Sequence, residues 1–186
     1  TLSSANLEGA VLEGANLDGA VLSGVNSGLV TGIPTLPEAW RLLNGYLIGP
    51  GASLSGVDLS GVDLSGSNIA ESDLGGANLT GANLNGADLS GCDLEGANLS
   101  DTDLRDALLT GISSGNISGT PSLPDSWLIF NTHLVGPGAN LDGADLSGID
   151  LSGRDFSGSD FRNVDLRDAN LSGIDLSGRD LRTGDF

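Results

Sequence analysis

The chain has 186 residues and a formal charge of −18, with 25 Asp and Glu against seven Arg and no Lys. That balance excludes a basic nucleic-acid groove and docking on anionic lipid, and favours solubility, cation binding or a basic partner. Gly is 30 of 186 and aromatics only 4%, so Leu must supply the buried area that aromatics usually supply.

In chain order, the first element is a repeat block over residues 1–24. Leu recurs every five residues, at Leu2, Leu7, Leu12, Leu17 and Leu22. The second element, residues 25–51, breaks this period. The segment LPEAWRLLNG within it could form a helical turn between Pro37 and Gly45. The period resumes over 52–111, with twelve centres from Leu54 to Leu109 and Ile69 as the one departure from Leu.

A second break, 112–138, aligns with the first at an offset of 87, with 15 of 31 positions identical from Gly24 and Gly111 onward. Pro34/Pro121, Trp40/Trp127 and Asn44/Asn131 are among them, with both Gly-Pro-Gly runs. The second copy, SWLIFNTHLV, is strand-like. Two copies of one segment should share one shape, which favours a β-hairpin with Asn44-Gly45 as its tight turn. Trp40 and Trp127 are expected to cover apolar surface at the hairpin base, with carbohydrate stacking on an exposed Trp as the sharper alternative.

The third block, 139–186, carries ten centres, including Phe156, Phe161 and Phe186. Across the chain there are 27 centres. The residue two before a centre is usually small, as at Ala77, Ala87 and Cys92. The residue before it is Asp 14 times and Asn eight times, and a polar residue and Gly commonly follow. A period of five fits neither a helix nor a flat strand, and Gly in every unit would weaken a helix. Short extended pieces between turns fit better, with small and large residues alternating into a narrow tube.

These units resemble the A(D/N)LXX motif of the pentapeptide-repeat family over about 132 of the 186 positions. The resemblance implies an all-β fold, a right-handed quadrilateral β-helix with four pentapeptides per coil, so that positions twenty apart stack. The two breaks would be hairpins inserted in a single solenoid domain. At the ordinary strand spacing of about 4.8 Å per coil, roughly nine coils would form a rod of about 43 Å.

The residues offer little chemistry. His133 stands alone, with Tyr46 as its counterpart, and no His/Cys cluster suits zinc. Gly111 to Gly115 spell G-x-S-x-G without the helix or partners that motif needs. Asp101, Asp103 and Asp106 hint at calcium but lack the glycine and terminal glutamate of an EF-hand loop. Neither a catalytic residue, a cofactor site nor a metal site is assigned. Cys92 is the only cysteine, which excludes an internal disulfide. No apolar run approaches the ~18 residues of a membrane helix. The chain starts at Thr1 and has no Met, so a processed chain or a piece of a longer one is expected.

A twenty-residue coil would stack Asp145, Asp165 and Asp185 in one column, with Asp155 over Asp175 and Asp160 over Asp180 in others. Like charges one strand spacing apart repel, so hydrogen bonds, counterions or Arg should offset them. Arg162, Arg167 and Arg182 follow their centres and should point outward. Arg154 and Arg179 occupy small inward positions: either they escape to solvent or the third block is locally wider.

Two functions fit. The first is a non-catalytic structural solenoid, such as a filament, sheath or cell-surface element. Its uncapped terminal coils would associate through Leu2 and Leu7 at one end and Leu181 and Phe186 at the other. The second comes from the resemblance, since some family members mimic B-DNA and bind type II topoisomerases. Such an acidic rod could equally take another basic protein partner, and an acidic calcium-binding surface module is a third reading.

Overall fold

The computed structural model describes residues 1–179 together with 181 and 184. Its architecture follows from one repeated unit. Take residues 77–82. Ala77 and Leu79 point inward and are fully buried. The Asn78 side chain between them accepts the backbone N–H of Thr80 at 3.2 Å. The Ala82 N–H donates to the Leu79 carbonyl at 2.9 Å and closes the corner, with Gly81 at φ +66°. A β-turn of this kind requires a positive φ at its third residue, hence the glycine.

The backbone groups left over at each side pair with the coils above and below. Leu79 donates to Asn98 and Asn78 donates to Val57, both at 2.9 Å. Parallel bridges therefore join residues twenty apart, such as Asp58 to Asn78 and Asn78 to Asn98. The product is a β-helix solenoid with a column of Leu inside. Each fully buried Leu contributes about 1.5–3 kcal/mol, and the regular column replaces the missing aromatic core.

The two breaks also wind. Asn26 bridges Ser53 and Ser113 bridges Asn140, so each break forms one coil of 27 residues rather than twenty. One column of bridges runs unbroken through Asn6, Asn26, Ser53, Asp73, Asp93, Ser113, Asn140 and Asp160. The extra residues form antiparallel pairs. Strand β1 (Arg41–Leu43) pairs with β2 (Tyr46–Ile48), and β3 (Leu128–Phe130) with β4 (His133–Val135).

The β1–β2 turn is Asn44 at φ +51° and Gly45 at φ +81°, the two-residue geometry that Asn-Gly favours. Its tip reaches across the coil, where the Gly45 carbonyl accepts Val30 N–H at 3.0 Å. The second tip is equivalent, with the Thr132 carbonyl accepting Ile117 N–H at 3.3 Å.

Each strand pair thus crosses the bore and divides the core. Leu47 packs with Leu22 and Val25, below it, while Ile48 packs with Ala52 and Leu54, above it. In the second copy Leu134 joins the middle core and Val135 the third. Strand alternation makes this possible, because successive side chains point to opposite faces.

Candidate interaction surfaces

The outward Asp and Asn residues are the most repeated polar feature, and each holds its own corner. Asp58, Asp63, Asp145 and Asp150 each accept the backbone N–H of the serine two residues on, at 3.0 Å. Hydrogen bonds from those serines, hydroxyl first and backbone second, hold these four carboxyls below the ordinary Asp range. For Asp155 and Asp175 the backbone N–H of Ser157 and Ser177 is the larger cause.

Asparagines stacked on aspartates relieve the repulsion within a column. The side-chain amides of Asn78, Asn83 and Asn170 donate to Asp58, Asp63 and Asp150 at 3.0–3.1 Å.

Of the expected acidic columns, the bridge between Asp145 and Asp165 places those two in register. Asp160 stacks on Asn140, and no bridge joins Asp155 to Asp175. Asp180, Asp185, Arg182 and Phe186 lie outside the described residues. Arg162 pairs with Asp160 at 2.6 Å and reaches Asp142 at 3.5 Å, and Arg167 pairs with Asp165 at 2.5 Å. Arg105 grips Asp103 in the same two-residue geometry, and its hydrogen bonds hold the Asp103 carboxyl down to about 2.

The two inward arginines behave differently from each other. Arg154 is exposed and so leaves the tube. Arg179 is half-buried, and its Nε is buried without a hydrogen-bond partner among the described residues. The unbridged Asp155–Asp175 side lies beside them, where Phe156 and Phe161 meet edge to face at 5.4 Å.

Trp40 and Trp127 are half-buried and touch the cores on both sides of their strand pairs. A Cβ on Gly49 would lie 2.4 Å from Trp40 Cδ2, and one on Gly136 equally close to Trp127. The first glycine of each Gly-Pro-Gly thus lets the indole lie flat on the backbone. His133 is half-buried, with Nδ1 at 2.8 Å from the Asn131 carbonyl. Among the described residues no group of His, Cys, Asp and Glu could hold a metal ion, and no helix is long and apolar enough to cross a membrane.

At the described ends, Leu2, Leu7 and Leu181 are half-buried, while interior centres such as Leu64 and Leu84 are fully covered.

Two features escaped the sequence reading. Ser27 and Ser114 are buried and accept the Leu47 and Leu134 N–H at 2.8 and 2.9 Å, anchoring each strand pair. Their identity at the 87-residue offset was the available signal. The second is an exposed apolar group, Val11, Leu29 and Ile33, where the second copy has polar residues.

A family model of pentapeptide repeats matches in eight copies, over residues 1–26, 51–81, 72–111 and 138–178. Among solved structures, the chain is similar to a pentapeptide repeat protein from the Arabidopsis thaliana thylakoid lumen. The identity is 25%, covering 70% of this chain and 68% of that one, with a TM-score of 0.26. It is also similar to HetL, a pentapeptide repeat protein involved in heterocyst differentiation regulation in the cyanobacterium Nostoc, at 22% identity over 100% and 88% of the chains, TM-score 0.24. A third is QnrB1, a plasmid-mediated fluoroquinolone resistance protein, at 20% identity over 98% and 84%, TM-score 0.26. No curated protein matches the chain.

Proposed function

The chain belongs to the pentapeptide-repeat family, and we propose that it works as a non-catalytic structural and interaction rod. In this reading it is one right-handed solenoid domain, with hairpins inserted at 25–51 and 112–138, whose terminal coils stack on those of other copies. The observation that carries the reading is the use made of the repeated carboxylates. They accept the N–H groups of their own corners, at Asp58, Asp63, Asp145 and Asp150 alike. The chemistry of the surface is spent on architecture, and the backbone ladder is the part that can extend.

A coil edge presents N–H and C=O groups along the rod axis, over a cross-section of half-covered Leu. Leu2 and Leu7 meeting Leu181 and Phe186 would pair unlike surfaces head to tail, and such a contact can propagate. The charge of −18 opposes it, so salt should strengthen association.

Light scattering at low and high salt tests this, beside a Leu7→Asp variant. The expected result is mass that grows with salt in the parent and not in the variant. A parent that stays monomeric at high concentration in both conditions overturns end stacking.

The same charge favours a second reading, an acidic rod that binds a basic partner such as a type II topoisomerase. Electron microscopy separates the two: filaments support the first, and discrete particles with a purified topoisomerase bound support the second.

A further inference from the structure

Three exposed large apolar side chains, one in the first block and two in the first break, lie at or beside one bridged pair of coil positions. Val11, Leu29 and Ile33 are 76%, 76% and 80% exposed. Val11 bridges Thr31 in the next coil, and Leu29 and Ile33 flank Thr31 two residues to either side. The duplicated break supplies an internal control. Offset by 87, the same positions are Asn98, Asn116 and Thr120. Asn98 makes the equivalent bridge, to Ser118, and Asn116 has nearly the same backbone, φ +50° against +54° at Leu29. The fold is built equally well with polar side chains there, so folding does not require the apolar ones.

Leu29 is costly on two counts. It exposes an apolar side chain, and it sits in the left-handed region, which Asn tolerates far better than Leu. An outlier that folding does not explain points to a role elsewhere.

The charges beside it point the same way. In the second copy, the Asn116 amide donates to Glu95 at 2.6 Å. The counterpart of Glu95 is Glu8, and Leu29 has no amide to offer it. Among the described residues the Glu8 carboxylate has no hydrogen bond or ion pair, its N–H alone being engaged by Asn6. Glu13 lies on the other side, its carboxylate accepting the Ile33 N–H at 3.2 Å. The patch is apolar at its centre and anionic at its rim.

We propose that Val11, Leu29 and Ile33, with Glu8 and Glu13, form a docking site for a protein segment that presents apolar side chains beside Lys or Arg. A second copy of this chain is a poor occupant, because it would bring glutamates against glutamates in a chain of charge −18. The site is solvent-exposed on the first coil, which also carries Leu7, so peptide binding and oligomeric state are read separately in the test.

The test replaces the patch with its own duplicate, V11N/L29N/I33T, which leaves the net charge unchanged. The probe is a synthetic amphipathic peptide of Leu and Lys, about four helical turns long, with a Ser-for-Leu peptide as control. Titration calorimetry on the full chain should show the Leu/Lys peptide binding at least about tenfold more tightly to the parent than to the variant. The control peptide should bind both equally. Equal affinity of the Leu/Lys peptide for both proteins would reduce binding to charge alone and overturn the proposal. So would a parent that dimerises where the variant does not, since the occupant would then be a second copy. L29N alone, which installs the residue the second copy already carries in this conformation, gives the same comparison should the triple variant fold poorly.

Discussion

Leu47 and Ile48 are neighbours in one strand, both fully buried, yet they belong to different cores. Leu47 closes the first block from above and Ile48 closes the second from below. The strand between them is a septum across the tube, and Leu134 and Val135 repeat the arrangement between the second block and the third.

This arrangement separates the effects of two adjacent substitutions. Leu47→Ala should cost about 2–5 kcal/mol and Ile48→Ala a similar amount. Hydrogen exchange should locate the loss differently. Leu47→Ala should lower protection at amides of the first block, such as Leu7 and Leu12, and Ile48→Ala at those of the second, such as Leu54 and Asp73. Identical protection maps would show that the septum does not divide the core.

Leu84 tests the register of the long block. It is fully buried, as are Leu64 and Leu104 twenty residues to either side. Leu84→Ala should cost about 2–5 kcal/mol in denaturant unfolding, whereas a surface position would cost nearly nothing.

Cys92 fills a small inward slot, where its Sγ donates to the Ile69 carbonyl at 3.1 Å. Burial pushes its thiol up to about 12. A thiol so placed is not a thiolate at neutral pH and has no path to reagent. Labelling with an aromatic disulfide should therefore be absent in the folded chain and complete in denaturant. Rapid labelling under native conditions would turn the slot outward.

Acid should weaken the fold in a defined window. The Asp103 carboxyl is held down to about 2 against an ordinary 3.8, chiefly by the Arg105 side chain. Asp58, Asp63, Asp145, Asp150, Asp155, Asp165 and Asp175 are shifted in the same direction. A group with a lowered folded pKa adds stability above its unfolded pKa and loses it as pH falls through the folded one. The melting temperature should be level down to about pH 5 and fall between about pH 4 and 2. Asp103→Asn keeps the side-chain oxygen that accepts the Arg105 N–H at 3.1 Å, and should show a shallower fall. A melting temperature that rises through this window would mean that relief of charge repulsion outweighs the corner hydrogen bonds.

The sequence by itself determined the repeating unit. A corner of Leu, polar residue and Gly depends on contacts within five residues, so its period is legible from Leu2 to Leu181. The small slot that holds Cys92 is legible for the same reason, since any large side chain there would meet its own coil. The duplication of the breaks, and with it the pairing of Trp40 with Trp127, also stood in the sequence. Only the tertiary structure decided what lies on each side of β2. Whether Leu47 faces the first core and Ile48 the second depends on where a strand pair crosses a tube whose walls come from residues twenty or more positions away. The same holds for Arg154 and Arg179. Both sit at inward positions of the repeat, yet one is exposed and the other half-buried, a difference that the five-residue pattern does not carry. Pattern fixes what a residue's neighbours in the chain require, while packing between coils fixes which neighbour in space it meets.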